Sequence, residues 1–425
     1  MSYKSMYKWA DELFPINRSI TGEGARQTLK YIRTIIPELE LFAVSSGTQV
    51  FDWIVPQEWN ISEAWIAHES GDRVVDFSDN NLHIVSYSNA LDKVLDLEEL
   101  QRHLYSLPEL PKAIPYVTAY YTETWGFCME HEKRLSLKEG NYHVFIDSAK
   151  TNGELNYGEV FLKGETDQEI LLSTYICHPS MANNELSGPV VAVALVNWIK
   201  CLDRRYSYRI VFCPETIGAV SYISRNLEDL QKNVIAGFVL TCMGDNNGYS
   251  YLPSRTGNTL ADKVAKHVMK FHSKNYETYS FLERGSDERQ YCSPLVDLPV
   301  CSVMRTMYRK YPEYHTSLDN MDLISQEGLE GGYQVMQRCI QVLEMNYFWK
   351  VTQHCEPQLG KRGLYDEVSS NHGILTGEKP LLINILAYAD GTLDLIDIAE
   401  ILGVAAWDLI PSINKLADHK LIIKA

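Results

Sequence analysis

No stretch of this chain approaches the roughly 20 consecutive apolar residues a bilayer-spanning helix needs, so a membrane protein is not expected. The opening MSYKSMYKWADELF has neither the apolar segment nor the cleavage site of a secretory signal, which points to the cytoplasm. Cysteine-pairing motifs are missing as well. The nine cysteines are odd in number and scattered, none forms a CxxC pair, and they read as reduced, mostly buried thiols. Positive charge is in short supply. With Lys+Arg 39 against Asp+Glu 55 and a formal net charge of −16, broad attraction to nucleic acid or an anionic membrane is not expected. Internal repeats and low-complexity segments are also lacking.

What is present is an ordinary globular composition, 45% hydrophobic and 22% charged, in a chain of 425 residues long enough for two or three domains. From Gly158 to about Phe348, short β-branched runs alternate with longer segments of helical period. ILLSTYI precedes GPVVAVALVNWIKCL, YRIVFC precedes TIGAVSYISRNL, VIAGFVLTCM precedes TLADKVAKHVMKF, and LPVCSVMRT precedes a long helix near Gln326–Tyr347. The alternation predicts an α/β fold, a mostly parallel sheet flanked by helices, with ligands gathered beyond the carboxyl ends of the strands. Residues 52–140 break the rhythm with aromatic-rich stretches such as FDWIVPQEWNISEAWI and read as a β-rich inserted domain. The main domain is then discontinuous, 1–51 and 141–348. Its N-terminal part would hold a helix capped by Thr21 and an edge strand. Residues 349–425 open on a loop-like hinge, CEPQLGKRGLYDEV, and continue as short helices with Gly breaks and a final LIIKA, the pattern of a winged helix. Its supposed recognition helix balances Asp408 and Asp418 against Lys415 and Lys420, so this is not a basic face. A protein–protein or oligomerisation role is preferred over nucleic-acid binding.

Four strand ends carry chemistry. His178 follows a buried strand and precedes proline, a geometry that presents an imidazole as ligand or base. Glu215 follows a strand and a proline in FCPETIG, Asp245 sits in TCMGDNNG, and His315 in YPEYHTSLDN. Each has a bland reading: a satisfied structural histidine, a first-turn helix carboxylate, a turn aspartate, a loop histidine beside a helix N-cap at Ser317. Four successive strand ends yielding His, Glu, Asp and His weigh against reading all four that way.

The run from His178 through Asn184-Glu185-Leu186-Ser187-Gly188, Pro214-Glu215, Asp245 and Tyr314-His315 resembles zinc aminopeptidases of the peptidase M28 type. The whole chain is similar to a bacterial aminopeptidase-like family (DUF4910 with an inserted DUF2172 domain and a C-terminal winged helix), often described as polysaccharide-biosynthesis proteins. LFPINRSITGEG, FDWIVPQEWNI, CHPS, PETIG, SYLPSRTG, GSDERQY and YPEYHTSLDN carry that likeness. The resemblance implies His178, Asp245 and His315 as metal ligands, Glu215 as general base and Tyr314 as oxyanion donor. Loops corresponding to those of Arg255, Asp287 and Arg289 line the substrate pocket in such peptidases. For each of these three, a loop-bracing ion pair is the competing reading.

Two positions depart from the pattern. Asn184 stands where the bridging aspartate belongs, and Thr216 where a second-metal glutamate belongs. Neutral oxygens are poor zinc ligands, so one zinc rather than two is expected, with Glu185 as a stand-in carboxylate. The expected function is a zinc-dependent aminopeptidase-like hydrolase cleaving an amide bond in a small amino-acyl or acylated-sugar substrate. The competing readings are an inactive binding protein on the same scaffold and a winged-helix regulatory protein. Partners would be a small-molecule or peptide substrate and a second copy of the chain, through the C-terminal or inserted domain.

Overall fold

Strand Glu169–Tyr175 (EILLSTY) is buried at every position, as a strand covered on both faces of a parallel sheet should be. The computed structural model to which it belongs describes residues 4–364 and 378–425. They fall into two compact units, residues 1–261 with 277–334, and residues 262–276 with 335–425.

The first unit is built on an eight-stranded sheet. In chain order its strands are β1 (Glu40–Ser45), β2 (Glu154–Leu162), β3 (Glu169–Tyr175), β4 (Ser207–Cys213), β5 (Val234–Val239), β6 (Ser250–Leu252), β7 (Glu277–Thr278) and β8 (Val300–Met304). Their spatial order is β1-β2-β4-β3-β5-β8-β6-β7. The central four, β4, β3, β5 and β8, run parallel. Antiparallel pairings close both flanks, β1 with β2 and β2 with β4 on one side and β8 with β6 on the other. The parallel strands thus deliver their carboxyl ends, and the loops that hold His178, Glu215, Asp245 and His315, to one edge of the sheet.

The helix after β3, Ser187–Ile199 (SGPVVAVALVNWI), is buried along nearly its whole length and covers the sheet. It is entered through a single π-helical turn, Ala182–Leu186, the kind of irregularity that often marks functional positions. The inserted region forms its own antiparallel four-stranded sheet, in the order Arg73–Asp76, Glu58–His68, Asn141–Thr151, Leu91–Asp96. The strand Asn141–Thr151 runs beyond residue 140, so the chain rejoins the main sheet only at β2. The two parts are not separate globules. One apolar core runs from Trp59, Ile66, Phe127 and Val144 to Leu171, Val211 and Val239.

Helix Glu23–Ile35 differs from expectation at its start. Its N-cap is Gly22, at φ +96°, and no side chain caps it. Thr21 Oγ1 instead accepts from the Trp59 N–H at 3.1 Å and lies 2.5 Å from the Tyr87 hydroxyl, tying the N-terminal segment to the insertion. Likewise Ser317 caps no helix. Its Oγ accepts from the Ile114 N–H at 2.9 Å.

In the second unit a three-stranded sheet (Asp390–Asp394, Phe348–Val351, Ile422–Lys424) packs with helices Glu378–Tyr388, Leu395–Leu402 and Ala406–Asp418, a winged-helix arrangement. The middle helix begins on a reciprocal Asp394/Asp397 capping box and ends at Gly403 with φ +69°, the glycine break legible in the sequence. The hinge-like stretch 355–368 lies outside the described residues from Tyr365 onward. Among the described residues no helix is long and apolar enough to cross a membrane.

Candidate functional site

His178 leaves the end of β3 and is buried. Its Nδ1 lies 2.7 Å from Glu185 Oε2, a carboxylate delivered by the π-helical turn. Behind Glu185 stands Arg18, fully buried, with Nε 3.9 Å from Glu185 Oε1 and donating to the His178 carbonyl at 3.0 Å. Burial pushes the His178 imidazole down to about 3, with Arg18 adding to the effect, so the ring is neutral at physiological pH. Burial pushes Glu185 up to about 8 while Arg18 pulls it back. When Glu185 is ionised, His178 donates from Nδ1 and turns the Nε2 lone pair toward Glu215, whose Oε2 is 3.5 Å away. That is the tautomer a metal-binding histidine needs, held by the carboxylate partner such histidines commonly have.

His178, Glu215 and His315 share the wall of a cavity of about 320 Å³. The two imidazole centroids are 5.2 Å apart, and Tyr116 stands edge-on to both, at 5.2 and 5.3 Å. His315 Nε2 is buried with no hydrogen-bond partner, and burial with neighbouring His178 pushes its ring down to about 2. His315 sits at φ +57°, and Thr216, directly after Glu215, at φ +62°. Non-glycine residues there store of order 1–3 kcal/mol each, so the surrounding structure must impose these turns. For Thr216 the restraint is visible. Its N–H donates to Asp287 Oδ1 at 2.7 Å, and its hydroxyl accepts from Arg289. Burial and the nearby Asp287 carboxylate hold Glu215 well above the usual carboxylate range, with Arg289 opposing. Asp287 itself is pushed up to about 7 by burial.

The insertion roofs this cavity. Trp53, Tyr116, Tyr120 and Tyr121 line it, and the Tyr116 N–H donates to the His315 carbonyl at 2.9 Å. Arg289 lines it too, with Nε buried and unpartnered.

Other expected site residues lie elsewhere or do other things. The Asp245 carboxylate is fully engaged: Oδ1 accepts from Asn247 N–H and Thr306 Oγ1, Oδ2 from Asn183 Nδ2 and Thr306 N–H, at 2.7–3.1 Å. Four donors fill the four lone-pair positions of a carboxylate, which leaves none for a metal. Asn184 donates to the Tyr175 hydroxyl at 2.9 Å, while its Oδ1 is buried without a partner. Tyr314 lies flat on His315, centroids 3.9 Å apart, and is not among the residues lining the cavity. Arg255 pairs with exposed Asp297 at 2.8 Å, the loop-bracing alternative.

Three residues that position the site escaped the sequence reading. Asp319 is buried and accepts from the N–H groups of Ala182, Asn183 and Asn184, at 3.1, 2.6 and 2.9 Å, so it anchors the π-helical turn. It lies four residues past His315, where a carboxylate in a polar loop gives no periodic signal. Arg18 and Tyr116 sit in segments remote in sequence. Only the density of polar and aromatic residues in NRSITG and IPYVTAYY hinted at them.

Among the described residues, the one group of three ligand atoms from His, Cys, Asp or Glu within 4.8 Å of one another is Cys177, His178 and Glu185. Burial raises the Cys177 thiol well above its usual range, and Glu185 faces a guanidinium, so this trio is not a metal centre as it stands. The zinc implied by the fold fits only in part. Among the described residues neither the expected His178, Asp245 and His315 nor His178, Glu215 and His315 form such a group, so the residues as placed offer an ion two neutral imidazoles at one cavity and no third ligand. A second ion does not fit, because its further donors would be the Asn184 amide and the Thr216 hydroxyl; Asp245, expected as a ligand of the first ion, is saturated and is not one.

Comparison with known proteins shows the family of the chain and the likeness of its fold. A family model described as Domain of unknown function (DUF4910) matches residues 7–346, and a winged helix-turn-helix model matches 347–424. A Clostridium acetobutylicum protein whose name couples polysaccharide biosynthesis with an aminopeptidase-like domain is 42% identical over 395 residues, 93% of this chain and 90% of that one. A peptidase-named crystal structure from the same species aligns at TM-score 0.93 and 39% identity, covering 100% of this chain and 96% of that one. BSAP, a zinc aminopeptidase from Bacillus subtilis, aligns at TM-score 0.59 and 12% identity over 80% of this chain and 95% of its own, a likeness of fold alone.

Proposed function

Because the chain belongs to the DUF4910 family and carries a winged helix-turn-helix at its C-terminal end, we propose that it is a zinc-dependent hydrolase on an aminopeptidase-like fold. Its reaction is cleavage of an amide bond in a small amino-acyl or acylated-sugar substrate. The observation that carries this reading is the pair of neutral imidazoles, His178 and His315, facing one cavity with Glu215.

His178 and His315 would hold the ion, which when bound supplies Lewis acidity for the scissile carbonyl. The chain's own groups do the rest. Glu215, with its raised pKa, takes the proton of the attacking water and passes it to the leaving nitrogen as the C–N bond breaks. Arg289, in the cavity wall, holds a carboxylate or carbonyl of the substrate. The aromatic roof keeps bulk water out. Asp245 and Asp319 act as positioning residues, and Tyr314 supports His315 by stacking. The protein is proposed to work in the cytoplasm, with self-association through the winged helix or the insertion.

A second reading, an inactive binding protein, draws on Asn184 and Thr216, which stand where carboxylates serve two-metal peptidases. The deciding experiment is Glu215→Gln, assayed on amino-acyl anilides and N-acylated amino sugars. Loss of turnover with zinc content unchanged supports the hydrolase. Wild-type protein with bound zinc and no turnover on any of these supports the binding protein.

A further inference from the structure

Among the described residues that line the site cavity, Glu215 is the one carboxylate and Arg289 the one guanidinium or ammonium. Three further carboxylates stand behind the wall. Glu185, Asp287 and Glu288 are buried, and none lines the cavity. Glu185 serves His178, and Asp287 Oδ1 accepts from the Thr216 N–H. Glu288 Oε1 accepts from the N–H groups of Gly285 and Ser286 at 2.8 and 3.0 Å and from the Tyr308 hydroxyl at 2.7 Å. These acids shape the loop before Arg289 and do not meet a ligand.

Arg289 is half-buried, yet it pairs with no carboxylate among the described residues. Arg26, Arg209 and Arg255, by contrast, each have a nitrogen 2.6–2.8 Å from a carboxylate oxygen. The Arg289 Nη2 donates to the Thr216 hydroxyl, and Nε is buried. Nη1 is neither buried nor bonded to a described residue, so it is the accessible end of the fork. Thr216 directly follows Glu215, and the tether therefore keeps this charge beside the proposed base. A carboxylate is the ligand a half-buried, unpaired guanidinium suits best. An ammonium would be repelled by Arg289, and its one partner in the wall would be Glu215, which must stay free to take the proton of the attacking water.

We propose that the cavity takes an amide that carries a carboxylate and no free amine, an N-acylated amino acid or an N-acylated amino-sugar acid, with Arg289 reading the carboxylate. This rests on the hydrolase proposed above and narrows its substrate. In the reaction the oxygen of water bonds to the acyl carbon, the C–N bond breaks, and the nitrogen leaves with the proton relayed by Glu215. The products of an N-acylated amino acid are a carboxylic acid and the free amino acid.

The test is calorimetric titration of the full chain carrying Glu215→Gln, so that the probes survive. Two matched pairs separate the amino-acid from the amino-sugar source: N-acetyl-L-phenylalanine with its carboxamide, and N-acetylmuramic acid with N-acetyl-D-glucosamine. L-Phenylalaninamide is the free-amine probe. At least one acid should bind roughly tenfold or more tighter than its uncharged partner and than L-phenylalaninamide, as a charge-assisted contact implies. Adding Arg289→Gln should remove that preference, and Arg289→Lys should keep part of it. Because Arg289 also braces Thr216, the preference and not the affinity is the readout. An Arg289→Gln change that weakens acid and uncharged probes alike shows bracing alone and overturns the proposal. So does an acid no tighter than its partner, a preference that survives Arg289→Gln, or tightest binding of L-phenylalaninamide. Acids bound in the expected pattern but left intact by zinc-loaded wild type would refute the hydrolase and leave the carboxylate site standing. Turnover of amino-acyl anilides with no preference for acids would do the reverse.

Discussion

Glu185 Oε2 stands 2.7 Å from His178 Nδ1, and Arg18 Nε stands 3.9 Å from the other oxygen of the same carboxylate. The three side chains form a buried line that fixes which nitrogen of His178 faces the cavity. The sequence suggests Glu185 as a stand-in metal ligand. Here Glu185 serves behind the histidine rather than beside it. Glu185→Gln keeps the shape but weakens control of the tautomer, and zinc affinity should fall about 10–100-fold. Competition with a chromophoric chelator measures this, and equal affinity in the variant would refute the assignment.

Protein purified without chelator should hold about one zinc per chain, because two imidazole lone pairs face the cavity and the donors for a second ion are missing. His315→Ala and His178→Ala should each abolish stoichiometric binding. Elemental analysis giving two ions per chain in the wild type would show that Asn184 or Asp245 ligates after all.

Asp245→Asn separates ligand from scaffold. It replaces acceptors with an NH₂ group among four donors, and hydrogen bonds to a charged group contribute about 1.5–3 kcal/mol each. Denaturant unfolding should show a loss of at least that size, while zinc content per folded chain stays at the wild-type value.

Stability in metal-free protein should depend on pH with two opposite signs. His178 and His315 have folded pKa values of about 3 and about 2 against an ordinary 6.5, so their contribution is complete above pH 6.5 and is lost as pH falls toward those values. Between pH 6.5 and 4.5, wild type should lose about 1.4 kcal/mol per pH unit relative to His315→Gln. Glu185, raised to about 8, acts the other way: its contribution is present below about 4.5 and is lost as pH rises through 8. Glu185→Gln should therefore gain on wild type as pH climbs from 4.5 to 8. Parallel curves for variant and wild type in urea titrations would contradict both statements.

The winged helix offers no basic face on the helix Ala406–Asp418, where Asp408 and Asp418 outnumber Lys415. Full-length protein titrated with random duplex DNA at low salt should bind no more tightly than the roughly 10⁻⁴–10⁻⁶ M of non-specific complexes. Tight, salt-steep binding would restore a regulatory role.

The parallel sheet was legible because burial on both faces writes itself into sequence as unbroken apolar runs, as in EILLSTY and RIVFC. Placing His178 and Glu215 at strand ends followed from that. The insertion was legible as a change of texture, but not its attachment. Trp59 and Leu171 share one core, and nothing in local periodicity reports a contact across more than a hundred residues.

Composition and period thus settled the fold class, the winged-helix ending and the strand-end origin of the site, since these depend on which faces must leave water. Which carboxylate serves which role was decided by tertiary structure alone. Asp245 and Glu185 look equally able to bind a metal as letters. Four donors converge on the first, and an imidazole backed by a guanidinium on the second. A lone pair can be used only once, and the partner that uses it comes from elsewhere in the chain.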